Sequence, residues 1–171
     1  MWEFVLKFRL PPGRTEPTAW LDALFEAGCD DATVGTGRYG SVALDFSREA
    51  VSADVAIRSA IADVLKAIPG AQLTEIAPDL VNLADLAGIV GCSRQNIRKY
   101  AAAEIRTVPA AFPDPVYTGN PSLWRLAEVL VWFDRNTDLH PDPRTLELAR
   151  VVSEVSADIH RQRLAGLIAA E

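Results

Sequence analysis

Hydrophobic and polar residues alternate from the first positions of the chain. Trp2, Phe4, Leu6, Phe8 and Leu10 fall on one side of residues 2–10, with Glu3, Lys7 and Arg9 largely on the other. A period of two with one apolar side predicts a strand with one buried face. The period then lengthens. Pro17 suits the first turn of a helix running through Trp20, Leu21, Leu24 and Phe25 to a stop at Gly28. Ala32–Thr36 and Ser41–Phe46 read as two strands around a Gly-rich hairpin, and Ser52 as the cap of a second helix. That helix is expected to turn Val55, Ile57, Ile61, Val64 and Leu65 inward and to end at Pro69-Gly70, before a last strand over Gln72–Ile76. The order βαββαβ is that of the ferredoxin-like split unit. The predicted class is therefore α+β, with a ferredoxin-like domain over residues 1–78.

Residues 83–101, LADLAGIVGCSRQNIRKYA, have helical spacing on both sides of a glycine. Counting Leu83 as the first position, small Ala87 is fifth, where crossing helices must approach closely. Gly91 is ninth, where the turn favours positive φ. Leu86, Val90, Cys92, Ile97 and Tyr100 fall at core-facing positions, and Ser93 is placed to cap the second helix. Arg94, Gln95, Asn96, Arg98 and Lys99 remain on the outward face. Such side chains hydrogen-bond base edges and phosphates, and the pattern is that of a helix-turn-helix.

A Pro-rich stretch follows. Val116-Tyr117 and Leu123-Trp124 are expected to pair as a short ribbon, with Thr118–Ser122 as its tip. Arg125 leaves this ribbon as a candidate phosphate ligand, and Leu126–Phe133 reads as an amphipathic helix completing a small core. Residues 82–135 together resemble the MerR-like and excisionase/AlpA-like winged helix-turn-helix family. The resemblance rests on the Gly turn, the SRQNIRK helix, FPDPV, the wing, Trp124-Arg125 and LAEVLVWF. It implies a prokaryotic or phage-type DNA-binding regulator. Ser93, Arg94, Gln95, Asn96, Arg98 and Lys99 would then face the major groove or its phosphates, and Arg125 the backbone beside the wing. The chain departs from the family pattern in the longer insert Ala101–Ala111, which carries Glu104 and Arg106; Arg106 could contact phosphate or be solvated.

In the remaining segment, 136–171, Asp142-Pro143 opens a helix expected to reach about Ala169. Its Leu148, Val152, Val155 and Ile159 form an a/d-like seam that could pack on its own chain or on a second copy.

Charge refines this picture. The chain of 171 residues carries a net charge of −6. Residues 1–81 hold seven Lys/Arg against twelve Asp/Glu, residues 82–135 six against five, and residues 136–171 four against six. The segment with the paired helices is the least acidic, and no acid lies between Cys92 and Ala103. Local charge governs phosphate contact. Cys29 and Cys92 lie far apart in apolar helical settings and read as structural thiols. With no apolar run near membrane-spanning length and charges inside the first apolar stretch, a cytoplasmic protein is expected. His140 and His160 stand without ligand-spaced partners, so no metal is expected. No cofactor is expected either. Gly35–Gly40 fits G-x-G-x-x-G literally, but a strand pattern follows where a dinucleotide loop needs a helix, so the glycines read as hairpin residues. No nucleophile–base pair or paired carboxylates suggest an enzyme.

The expectation is a sequence-specific regulator acting on double-stranded DNA as a homodimer. Its N-terminal domain would supply dimerisation, a protein partner site or a small-effector site. One alternative is an antitoxin-like or adaptor protein that mainly binds another protein. Another is an architectural factor that bends DNA.

Overall fold

A computed structural model describes residues 1–105 and 107–168. The chain divides into two units, Met1–Ala77 together with the residues from Glu154 onward, and Pro78–Ser153. Arg106 and Ala169 lie outside the described residues.

The first unit is built on an antiparallel sheet in the order β2-β3-β1-β4, from β1 (Trp2–Arg9), β2 (Ala32–Gly35), β3 (Ser41–Arg48) and β4 (Gln72–Ala77). As the alternation predicts, Trp2, Phe4, Leu6, Phe8 and Leu10 are buried, opposite Val42, Leu44 and Phe46 of β3. Phe4 and Phe46 stack at 5.3 Å. Each such side chain contributes about 1.5–3 kcal/mol by leaving water.

The first helix is split. A 3-10 turn, Pro17–Trp20, precedes α1 (Leu21–Glu26), and Gly28 follows with φ 101°. The second, α2 (Ala53–Ala67), is capped by the Ser52 hydroxyl, which accepts from the Val55 amide. Its buried face differs from the expected one. Ile57 and Val64 are buried, but Val55 and Leu65 are exposed, and Ala53, Ala56, Ala60 and Ala67 take the remaining inward positions. Hydrophobicity alone favours the large residues for the core. The alanines hold it because they allow the helix to lie close on a sheet already filled by Phe side chains.

Beside α2, Arg48 sits at the end of β3 with all of its donors engaged. Nε and Nη2 donate to Asp31, Nη1 to Asp63 and Ser59, and Nη2 also to the Gly28 carbonyl, at 2.7–3.1 Å. One side chain thus ties the end of α1, the start of β2 and the middle of α2. Burial cages the neighbouring Cys29 thiol and, with the nearby Asp63 charge, pushes its pKa up to about 11.

The second unit holds β5 (Leu80–Val81), α3 (Leu83–Val90), α4 (Arg94–Ala101), β6 (Trp124–Arg125) and α5 (Leu126–Asn136). Leu86, Ala87, Ile97, Trp124, Leu126, Val129, Leu130 and Phe133 form its core. The ribbon differs from expectation. Tyr117 and Leu123 make an antiparallel bridge, but Trp124-Arg125 pairs with Leu80-Val81 instead of continuing the ribbon. Burial of the Trp124 ring, whose indole N–H donates to the Pro113 carbonyl at 3.0 Å, draws that segment inward.

The last helix, α6, spans Pro143–Ile168, and Asp142 accepts from the Thr145 amide at its start. Val152, Val155 and Ile159 are buried and Leu148 half-buried, so the seam is covered within the chain itself. Among the described residues no helix is long and apolar enough to cross a membrane.

Candidate nucleic-acid interface

The surface around α4 is defined by how its helix pair is held. Asn82 caps α3, its side chain accepting from Ala84 and Asp85 amides while Asp85 returns a bond to the Asn82 amide. This reciprocal capping box fixes where α3 begins. The N-x-x-D spacing of Asn82 and Asp85 is the sequence signal of this cap. At the other end Gly91 adopts φ 75°, and the Gly91 and Cys92 amides both donate to the Ala87 carbonyl at 3.0 Å. A left-handed residue there reverses the chain within three positions, at no Cβ cost.

Ser93 then caps α4, its hydroxyl accepting from the Asn96 amide at 3.2 Å. Ile97 is fully buried, and Tyr100 packs edge-on against Trp132 and Phe133 at 5.6 and 5.1 Å. With Ile97 and Tyr100 inward, helical spacing turns Arg94, Gln95, Arg98 and Lys99 outward, and all four are exposed. Among the described residues none of the four has an ion-pair or side-chain hydrogen-bond partner. Arg14, Arg48, Arg58, Arg125, Arg161 and Arg163, by contrast, are engaged within the chain.

Two expected site residues stand apart. Asn96 is half-buried, its backbone amide holds the Ser93 cap, and burial raises the pKa of the nearby Cys92 thiol. Asn96 thus supports the turn and offers less to a ligand than its neighbours. Arg125 departs further from expectation. Its Nη1 reaches both carboxylate oxygens of Asp79 at 2.8 Å, and Nε lies 4.0 Å from Glu128. Asp79 is nearly buried, and its carbonyl accepts from the Leu126 amide at 2.8 Å. The guanidinium therefore staples β5 to β6 and is held within the chain. Nothing local in the sequence predicts this, because the partners are 46 residues apart.

The loop between Tyr117 and Leu123 is closed by the Leu123 amide donating to the Tyr117 carbonyl at 2.9 Å. The Tyr117 ring lies over Gly119, where any Cβ would collide with it. Val116, Tyr117, Thr118 and Asn120 are exposed. This surface can offer hydroxyl and amide donors and an aromatic face, but no cation. No protein-family model, no curated protein and no solved structure matches the chain.

Proposed function

We propose that the chain is a sequence-specific DNA-binding regulator of prokaryotic or phage type, acting as a dimer on double-stranded DNA. In this reading α3 and α4 are a helix-turn-helix, α4 enters the major groove, and the Tyr117–Leu123 loop is a wing on the backbone. The MerR-like and excisionase-like resemblance of residues 82–135 belongs to the same reading. So does a ferredoxin-like identity for the first unit, supported by its strand order and its two helices.

One observation carries the reading. Arg94, Gln95, Arg98 and Lys99 form a rigidly capped, acid-free, exposed helix face, with no internal partners among the described residues. Arg98 and Lys99 suit phosphate, while Gln95 suits bidentate contact to an adenine edge. Ser93 stays in the interface as the cap that orients the helix.

Selection of bound duplexes from a random library tests this, with an Arg98→Ala/Lys99→Ala variant alongside. An enriched inverted repeat that the variant loses is the expected result. A folded protein that enriches nothing would overturn the proposal and favour an adaptor that binds another protein.

A further inference from the structure

Three loops of the first unit meet beyond the end of β1. The Leu10 amide donates to the Gly40 carbonyl at 3.0 Å, and the Gly40 amide to the Thr15 carbonyl at 2.9 Å. These bonds tie residues 10–15 to the hairpin between β2 and β3. Gly70, at φ 85°, brings the turn before β4 against Pro11, where a Cβ on residue 70 would stand 3.5 Å from the proline Cβ. These loops enclose a cavity of about 480 Å³, a size usual for small-molecule sites.

Leu10 and Pro12 give the cavity apolar wall, and Arg9, Thr15 and Gln72 are its polar side chains. Arg9 and Gln72 are directly paired across β1 and β4, so their side chains are neighbours on one face of the sheet. Among the described residues none of these three side chains has an ion-pair or hydrogen-bond partner. Arg14, by contrast, is committed elsewhere, with Nη2 on the Ala19 carbonyl at 2.9 Å and its guanidinium over the Trp20 ring at 4.1 Å. No carboxylate lines the cavity, although it lies in the most acidic part of the chain. The acids nearest along the chain are engaged: Glu16 accepts from the Thr18 hydroxyl at 3.1 Å, and Glu75 pairs with Lys7 at 2.7 Å.

We propose that this cavity is a binding site for a small organic monocarboxylate. The Arg9 guanidinium is a planar fork that matches a carboxylate and is charged at every working pH. The Gln72 amide and the Thr15 hydroxyl supply neutral donors beside it, and Leu10 and Pro12 accept the hydrocarbon part of the ligand. One cation balances one negative charge, which favours a carboxylate over a phosphate dianion. The site would give the proposed regulator its small effector. It rests on that reading for its role but not for its chemistry, and its test uses no DNA, so the two fail separately.

The experiment is a ¹H–¹⁵N NMR titration of the full chain with benzoate, with its neutral counterpart benzamide and with inorganic phosphate. Benzoate should shift the Leu10 and Gly40 amides and the Arg9 Nε–H saturably, with a Kd in about the millimolar range for a ligand of this size. Benzamide and phosphate should bind about tenfold more weakly or worse. Arg9→Gln should cost benzoate about tenfold or more at unchanged melting temperature, because the guanidinium holds nothing within the chain. Arg38→Gln removes the same charge from the adjacent hairpin, outside the lining, and should leave the affinity nearly unchanged. No saturable shift at these amides would overturn the proposal. So would equal losses in Arg9→Gln and Arg38→Gln, which would show a diffuse field in place of a site. Benzamide or phosphate binding as tightly as benzoate would overturn the carboxylate assignment.

Discussion

Replacing Arg98 and Lys99 with alanine removes two exposed cations that have no ion-pair or side-chain hydrogen-bond partner among the described residues, so the cost should fall on DNA binding and not on folding. Each phosphate contact contributes a slope of about 0.9 to the dependence of log affinity on log salt. A dimer losing both residues from both copies should flatten that slope by about 3.6, and a monomer by about 1.8. Between about 50 and 200 mM salt, the variant dimer should lose roughly a hundredfold less affinity than wild type. Fluorescence anisotropy with a labelled duplex across that range reads the slope directly. The control is Arg58→Ala/Lys66→Ala, which removes the same charge from α2. It should leave the slope unchanged. Equal flattening by both double variants would show that net charge acts at a distance, and would refute α4 as the contact surface.

Gln95→Ala should relax base preference by about 1–3 kcal/mol at one or two positions of the selected site; equal weakening on every sequence would remove it as a base reader. Arg48→Ala leaves Asp31 and Asp63 facing each other without their cation. It should destabilise the first unit by about 3 kcal/mol, read as faster hydrogen exchange along α2 during urea titration. Arg125→Ala should destabilise the second unit to a similar degree, by stranding Asp79, yet leave the salt slope of the folded protein intact. A flatter slope with unchanged stability would return Arg125 to the phosphate role. Cys29 should resist iodoacetamide at pH 8 in the native protein, because the reagent needs thiolate and the thiol titrates near 11. Labelling should accelerate as pH rises toward that value or on unfolding, and rapid labelling at pH 8 would contradict the burial.

What the sequence revealed follows the reach of each signal. Period-two alternation in residues 2–10 and the Gly91–Ser93 turn are local patterns, and the structure bears both out, as it does the hairpin reading of Gly35–Gly40. The face of α2 differs from the expected one because hydrophobicity alone favours Val55 and Leu65 over alanine. Which side a helix buries also depends on the space that the sheet leaves. The pairs Arg48–Asp63 and Arg125–Asp79 were invisible for another reason. A lone arginine beside an aromatic strand has no sequence period, and its partner is chosen only when distant segments meet. The Tyr117–Leu123 ribbon was half legible. Its turn residues marked the bend, but the choice of Trp124 between ribbon and core is tertiary.

A chain of net charge −6 can still present a locally positive surface. Fixing a positive charge inside a unit removes it from solution and from ligands alike. Arg48 and Arg125 each neutralise acids that folding would otherwise leave stranded, so they offer a phosphate little. Arg94, Arg98 and Lys99 neutralise nothing in the described residues. Their charge is therefore available to a ligand at α4, and salt screens charges farther away than about 8 Å. In a chain that engages six of its other arginines internally, the charges left over mark the surfaces with something still to bind.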